Sequence, residues 1–109
     1  MDPETDLART LARHYQHISS KIKYEIKPPE DLINGIGYQL IGMQQLKKAF
    51  GLFEMNVKNF PKSQNVYDSM GDYYMAVNNK EKAAEFFKKA LAIKEDPGTR
   101  KKLNRILNK

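Results

Sequence analysis

Residues 63–96 read SQNVYDSMGDYYMAVNNKEKAAEFFKKALAIKED, and they repeat the pattern of residues 29–62, which read PEDLINGIGYQLIGMQQLKKAFGLFEMNVKNFPK. The shift that places Gly37 on Gly71 also places Ala49 on Ala83 and Phe53 on Phe87. Apolar positions follow the same shift, whereas few of the other residues match. Repeated packing positions without repeated surface positions predict two copies of one structural unit.

The spacing and residue types of the two copies resemble the tetratricopeptide repeat, a 34-residue pair of antiparallel helices. The first helix in that family carries a large apolar residue, an apolar residue before a glycine, and a further large residue. The matching residues are Ile33, Ile36, Gly37 and Leu40 in one copy, and Tyr67, Met70, Gly71 and Tyr74 in the other. The second helix carries small residues around an aromatic residue and then a closing proline. The matching residues are Ala49, Phe53, Asn56 and Pro61, and then Ala83, Phe87 and Ala90.

The resemblance covers about residues 30–97 and departs from the family pattern at two positions. Asn56 replaces a small apolar residue, and Glu95 stands where the second closing proline belongs, with Pro97 two residues later. The resemblance implies an all-α fold, a stack of two tetratricopeptide-like hairpins with a capping helix at each end.

Glycines lie at equivalent positions inside two predicted helices, at Gly37 and Gly71. A glycine in a helix interior costs about 0.5–1 kcal/mol relative to alanine, so we expect a packing reason for both. We predict that the two helices of each hairpin cross closely here, with Ala49 and Ala83 facing the glycines. The expected repeat-packing residues are Gly37, Ala49, Phe53, Gly71, Ala83 and Phe87.

Helix-start signals divide the chain into four segments. Asp2-Pro3 begins a helix that runs to about residue 21, Ser63 is a predicted N-cap, and Asp96-Pro97 begins the last helix. The other helices are predicted over residues 29–42, 44–59, 63–77 and 80–94. The predicted segments are an N-terminal capping helix and linker at 1–27, a first repeat at 28–62, a second repeat at 63–96 and a C-terminal capping helix at 97–109.

Composition and motifs favour a small non-catalytic domain. The 109 residues are 40% apolar and 29% charged, and they include no cysteine. A chain without cysteine has no disulfide, thiol nucleophile or cysteine-based zinc site. The sequence also has no nucleophile elbow, no phosphate-binding glycine loop and no H-E-x-x-H motif, so we expect neither enzymatic activity nor a cofactor.

The two histidines, His14 and His17, are three residues apart on the first predicted helix, a spacing that a metal-binding pair could use. His14 follows Leu7 by seven residues and precedes Ile18 by four, which places it on the apolar stripe of that helix. We therefore interpret it as a packed core histidine and predict no metal site.

Tetratricopeptide domains bind peptides in a concave groove that is lined by the first helix of each repeat. The resemblance assigns seven residues to such a groove: Asn34, Tyr38, Ile41, Asn65, Asp68, Asp72 and Met75. Family members that hold a C-terminal carboxylate use basic residues there, whereas this chain has Asp68 and Asp72. The two acids, together with Tyr38 and Met75, favour a basic or mixed apolar segment of a protein or peptide partner. The alternative is an ordinary solvated face.

Positive charge is concentrated at the C-terminal end of this chain, whose net charge is +6. The last twelve residues contain five basic residues and no acidic one. Because no aromatic residues interleave with them, we interpret this run as the soluble end of a capping helix and expect no nucleic-acid partner.

The sequence predicts no signal peptide and no membrane span. The compartment stays open, and the cytoplasm is compatible.

A second set of residues comprises His14-Tyr15, Ile18-Ser19, YEIKPPE at 24–30 and GYQL at 37–40. It is similar to the C-terminal appendage of certain bacterial serine esterases of the α/β-hydrolase class. That resemblance implies an accessory region whose partner is a parent hydrolase domain, without esterase activity of its own.

We expect a non-catalytic protein–protein interaction module. The alternatives are the esterase accessory region and a self-associating helical module, as a monomer or a homodimer.

Overall fold

A computed structural model describes Ala8, Leu11 and residues 27–108. Those residues contain five α-helices and no β-strand, which confirms the all-α prediction. The helices are α1 (Glu30–Gly42), α2 (Leu46–Asn59), α3 (Gln64–Ala76), α4 (Lys80–Ile93) and α5 (Pro97–Leu107). In the described part of the chain, each helix is too short or too polar to traverse a bilayer.

The chain divides into two compact units, which we describe separately. The N-terminal unit is Met1–Asn59 and contains the hairpin of α1 and α2. The C-terminal unit is Phe60–Lys109 and contains the hairpin of α3 and α4 followed by α5. Each predicted repeat therefore forms one antiparallel helical hairpin.

The same short turn joins the helices of both hairpins. Gln44 in the first turn and Asn78 in the second both have a backbone φ of 61°, in the left-handed region. The next residue in each turn donates its N–H to the preceding helix, at 2.8 Å from Gln45 to Leu40 and at 2.8 Å from Asn79 to Tyr74. Because the backbone of Gln44 is in the left-handed region, Gln44 cannot be the first residue of a right-handed helix. Helix α2 therefore begins at Leu46 and not at residue 44 as predicted.

Two of the later helices begin with a bonded N-cap. The Asn79 side chain accepts the Lys82 N–H at 3.2 Å, and the Asp96 carboxylate accepts the Thr99 N–H at 2.9 Å. These bonds satisfy N–H groups that have no partner within the helix. Ser63 occupies the predicted N-cap position of α3, but its side chain makes no capping hydrogen bond.

Each glycine of the repeat faces an aromatic ring of the neighbouring helix. A Cβ atom built on Gly37 would lie 2.5 Å from Phe53 Cε1, and one built on Gly71 would lie 2.5 Å from Phe87 Cδ1. The close crossing is therefore present in both hairpins. The three atoms nearest to the Cβ position of Gly37 all belong to the Phe53 ring, and Ala49, which is predicted to face Gly37, is fully buried.

Each unit has its own apolar cluster. In the N-terminal unit, Ile33, Leu52 and Met55 are buried together, and Ala8 and Leu11 pack against them. Ala8 and Leu11 are helical, and the rest of the predicted helix over residues 2–21 lies outside the described residues, with His14 and His17. The cluster of the C-terminal unit comprises Ala83, Ala84, Phe87 and Leu103. Because Leu103 belongs to α5, the last helix is part of this core.

The glycine–phenylalanine contact predicts opposite effects for two alanine substitutions in α1. Gly37→Ala should destabilise the fold by about 1–3 kcal/mol, because the new methyl group overlaps the Phe53 ring. Gly35→Ala is the matched control, since nothing lies within 4 Å of its Cβ position. It should stabilise the helix by about 0.5–1 kcal/mol. Urea unfolding measures both values, and equal effects would contradict the close crossing.

Candidate interaction face

Two carboxylates project from one face of α3. Asp68 and Asp72 are four residues apart and therefore lie one helical turn from each other. Asp68 keeps 14% of its side-chain surface exposed and Asp72 keeps 23%, so both are largely buried. We refer to Asp68 and Asp72 as the acid pair.

The ammonium group of Lys102, on α5, binds the acid pair. Its Nζ atom lies 3.0 Å from Asp68 Oδ2 and 3.0 Å from Asp72 Oδ2. The same nitrogen lies 5.7 Å from the centre of the Phe87 ring, within the range of a cation–π contact. The predicted groove acids are thus in contact with the chain's own C-terminal helix.

The buried hydroxyl group of Thr99, which is 1% exposed, extends this network. Its Oγ1 atom lies 2.6 Å from Asp68 Oδ1 and 3.1 Å from Asp96 Oδ2, and it accepts the Gln64 amide N–H at 2.8 Å. A hydroxyl has one proton to donate, and the shorter distance favours Asp68 as the acceptor. Asp68 is therefore held by two donors from α5.

Charge and hydrogen bonding shift the pKa of two groups at this junction. Burial lowers the pKa of the Lys102 ammonium, but the hydrogen bonds to Asp72 and Asp68 and the negative charges of these two acids together outweigh burial and leave that pKa raised. The hydrogen bond from the Thr99 backbone N–H is the main reason that the pKa of Asp96 is lowered. Lys102 and Asp96 are thus both held in their charged forms.

The remaining predicted groove residues differ in exposure. In the C-terminal unit, Met75 is 38% exposed and Asn65 is half-buried. In the N-terminal unit, Tyr38 is 37% exposed and its ring meets Phe53 edge-on, with centroids 5.5 Å apart. Asn34 and Ile41 are half-buried. The structure brings Asp68 and Asp72 together in one site, and it places the α1 residues in a separate unit.

Sequence reasoning missed Thr99 and Lys102 as members of this site. Lys102 lies 34 residues after Asp68, but the same shift places Asn104 on Met70 and Arg105 on Gly71, so α5 does not continue the repeat pattern. The sequence therefore predicted α5 only as a cap and gave no signal for these contacts. No group of three histidine or acidic side chains that could hold a metal occurs in the part of the chain that the structure describes.

Phe86 was also missed, although it joins two of the repeat tyrosines. Its ring stacks almost parallel to those of Tyr67 and Tyr74, with centroids 6.5 and 5.4 Å away. Lys89 lies over the Phe86 ring at 4.7 Å from its centre. These rings contact one another across α3 and α4, so they stabilise the hairpin.

No known protein family, curated protein or solved structure matches this chain.

The Thr99 hydroxyl predicts a contrast between two substitutions. Thr99→Val removes the hydroxyl but keeps the shape of the side chain, and it takes from Gln64 and Asp68 the hydrogen bonds that each makes to this group. We expect a loss of about 1–3 kcal/mol in the free energy of unfolding. Thr99→Ser keeps the hydroxyl group and should lose less. Urea titration of the two variants decides the matter, and a serine variant as unstable as the valine variant would refute the role of the hydroxyl.

The raised pKa of Lys102 predicts a pH-dependent contribution to stability. A raised folded-state pKa gives stability that is present below the unfolded-state pKa, about 10.4, and is lost as pH rises through the folded-state value. Lys102→Met should therefore cost about 1 kcal/mol at pH 8 and progressively less above pH ~10.4. Lys101→Met, which removes an exposed neighbouring charge, is the control. Urea unfolding across this pH range tests the pair, and a constant difference for Lys102→Met would contradict the ion pair.

Proposed function

We propose that this chain is a non-catalytic protein–protein interaction module of tetratricopeptide-like design. It binds peptide or protein segments through the face of α3 in the C-terminal unit, and the face of α1 is a second such surface in the N-terminal unit. Support comes from the repeated sequence pattern, the identical turns and the glycine–phenylalanine packing of both hairpins. In this design the second helix of each hairpin supports the first, and the first presents the binding side chains.

The observation that carries the proposal is the acid pair beside the exposed side chain of Met75. The pair already binds an ammonium group, that of Lys102, at 3.0 Å from each carboxylate. Because the acid pair already holds one ammonium group, a basic side chain of a partner is the kind of group that this face would bind. Asp72 is the more exposed acid, and it precedes Met75 by three residues on α3.

The chemistry of this face defines the partner. A basic side chain of the partner would pair with a carboxylate of the acid pair through a charge-assisted hydrogen bond. An apolar side chain next to it would contact Met75, whose flexible thioether adapts to different shapes. The proposed ligand is therefore a segment that combines basic and apolar residues.

The face of α1 presents the corresponding positions of the first repeat. The shift that places Gly37 on Gly71 also places Tyr38 on Asp72 and Ile41 on Met75. Tyr38 offers an aromatic surface with a polar tip, a type of side chain that is common in interfaces. In this proposal α1 contributes apolar contacts, and α3 contributes both charge and apolar contact.

Binding to defined peptides tests this function. The probe is an immobilised array of peptides about 12 residues long, built from lysine with leucine or tyrosine, beside a matched array with glutamate replacing lysine. The lysine array should bind more strongly. Asp72→Asn should weaken that binding about tenfold, because a charge-assisted hydrogen bond is lost.

Controls separate the face from the rest of the surface. Glu54→Gln removes an exposed carboxylate from α2 and should leave binding unchanged. Met75→Ala should weaken binding, whereas Met43→Ala, at an exposed methionine after α1, should not. Equal binding of the two arrays, or equal effects of Asp72→Asn and Glu54→Gln, would refute the proposal.

A further inference from the structure

A cleft opens between α4 and α5 of the C-terminal unit, away from the acid pair. Its volume is about 880 Å³, and its lining residues are Lys80, Glu81, Ala84, Glu85, Lys88, Arg105, Ile106 and Leu107. None of them belongs to the face described above. The cleft therefore needs an explanation of its own.

The floor of the cleft is apolar. Ala84 is buried in the core cluster, and Ile106 packs against the same cluster. Leu107, at the end of α5, is 54% exposed. Leu107 thus extends the apolar floor to the surface. An apolar side chain of a partner that packs against it would be buried from water, which is favourable.

The walls of the cleft are charged. The α4 wall carries Lys80 and Lys88 with Glu81 and Glu85, and these four charges cancel. The α5 wall carries Arg105, which gives the cleft a net charge of +1. Within residues 27–108, none of these five side chains forms an ion pair.

We propose that this cleft docks an amphipathic α-helix of a partner protein. The helix places leucine-type side chains on Ala84, Ile106 and Leu107, and it sets a carboxylate opposite Arg105. A groove between two helices accepts the side-chain ridge of a third helix, which is a common mode of peptide recognition. The surface is distinct from the α1 and α3 face, and the proposal does not depend on the function proposed above.

Charge selects an acidic helix over a second copy of this chain. The chain carries a net charge of +6, so two copies repel each other at low ionic strength. Among the other basic residues of α5, Arg100 is paired with Glu95 and Lys102 is bound to the acid pair, so the positive charge of the cleft is that of Arg105. A helix with glutamates beside its apolar stripe would pack its apolar side chains on the floor of the cleft and pair a glutamate with Arg105.

Fluorescence anisotropy with designed peptides tests the proposal. The first probe is a labelled helix of about 15 residues, with leucines at helical spacing and glutamates beside them. The second carries lysine in place of each glutamate, and the third has the composition of the first in a scrambled order. The first probe should bind at least tenfold more tightly than the other two.

Variants of the chain locate the binding. Leu107→Asp and Arg105→Glu should each weaken binding of the first probe about tenfold or more, and Arg105→Glu should narrow the gap between the glutamate and lysine probes. Lys94→Glu is the control, because it makes the same charge change at an exposed position outside the cleft. It should change binding less than twofold. Circular dichroism checks that each variant is folded.

Several outcomes would overturn the proposal. They are no binding of the glutamate probe, equal binding of the scrambled probe, or equal losses for Arg105→Glu and Lys94→Glu. Sedimentation of the chain alone gives a further test. A concentration-dependent dimer that Leu107→Asp abolishes would assign the cleft to a second copy and reject the acidic helix.

Discussion

The contact between a glycine and an aromatic ring sets the geometry of each hairpin. Phe53 and Phe87 are fully buried, and each ring lies where a Cβ on the facing glycine would be. The ring fills the space that the missing side chain leaves, so the two helix backbones approach closely without a void. The two hairpins also share one kind of turn, since Gln44 and Asn78 both have a backbone φ of 61°.

Both apolar and polar contacts hold α5 on the second hairpin. Leu103 is buried with Phe87, which supplies the nonspecific part of the attachment. Thr99 and Lys102 then pair with Asp68 and Asp72, and the buried carboxylates require such partners because unpaired charges are costly away from water. The same helix therefore covers the apolar core with Leu103 and pairs Lys102 with the two carboxylates of α3.

The C-terminal unit presents two surfaces that differ in charge. The α3 face carries the acid pair with Lys102 bound to it, and Met75 is exposed beside it. The α4–α5 cleft has a charge of +1 above a floor that ends at Leu107. The two surfaces share no residue, so the two proposed binding sites can be tested independently.

The sequence by itself determined the all-α class, the two hairpins and the close helix crossing at the glycines, because those features follow from residue size at fixed spacing along the chain. Gly37 and Phe53 lie on consecutive helices of one hairpin, so the local pattern contains their contact. The tertiary structure alone decided what the acids do. Asp68 and Asp72 share a helix face in any register, but an ionic partner is chosen by proximity after folding. That partner is Lys102, 34 residues beyond Asp68, which reaches the acid pair only because α5 packs back on the second hairpin.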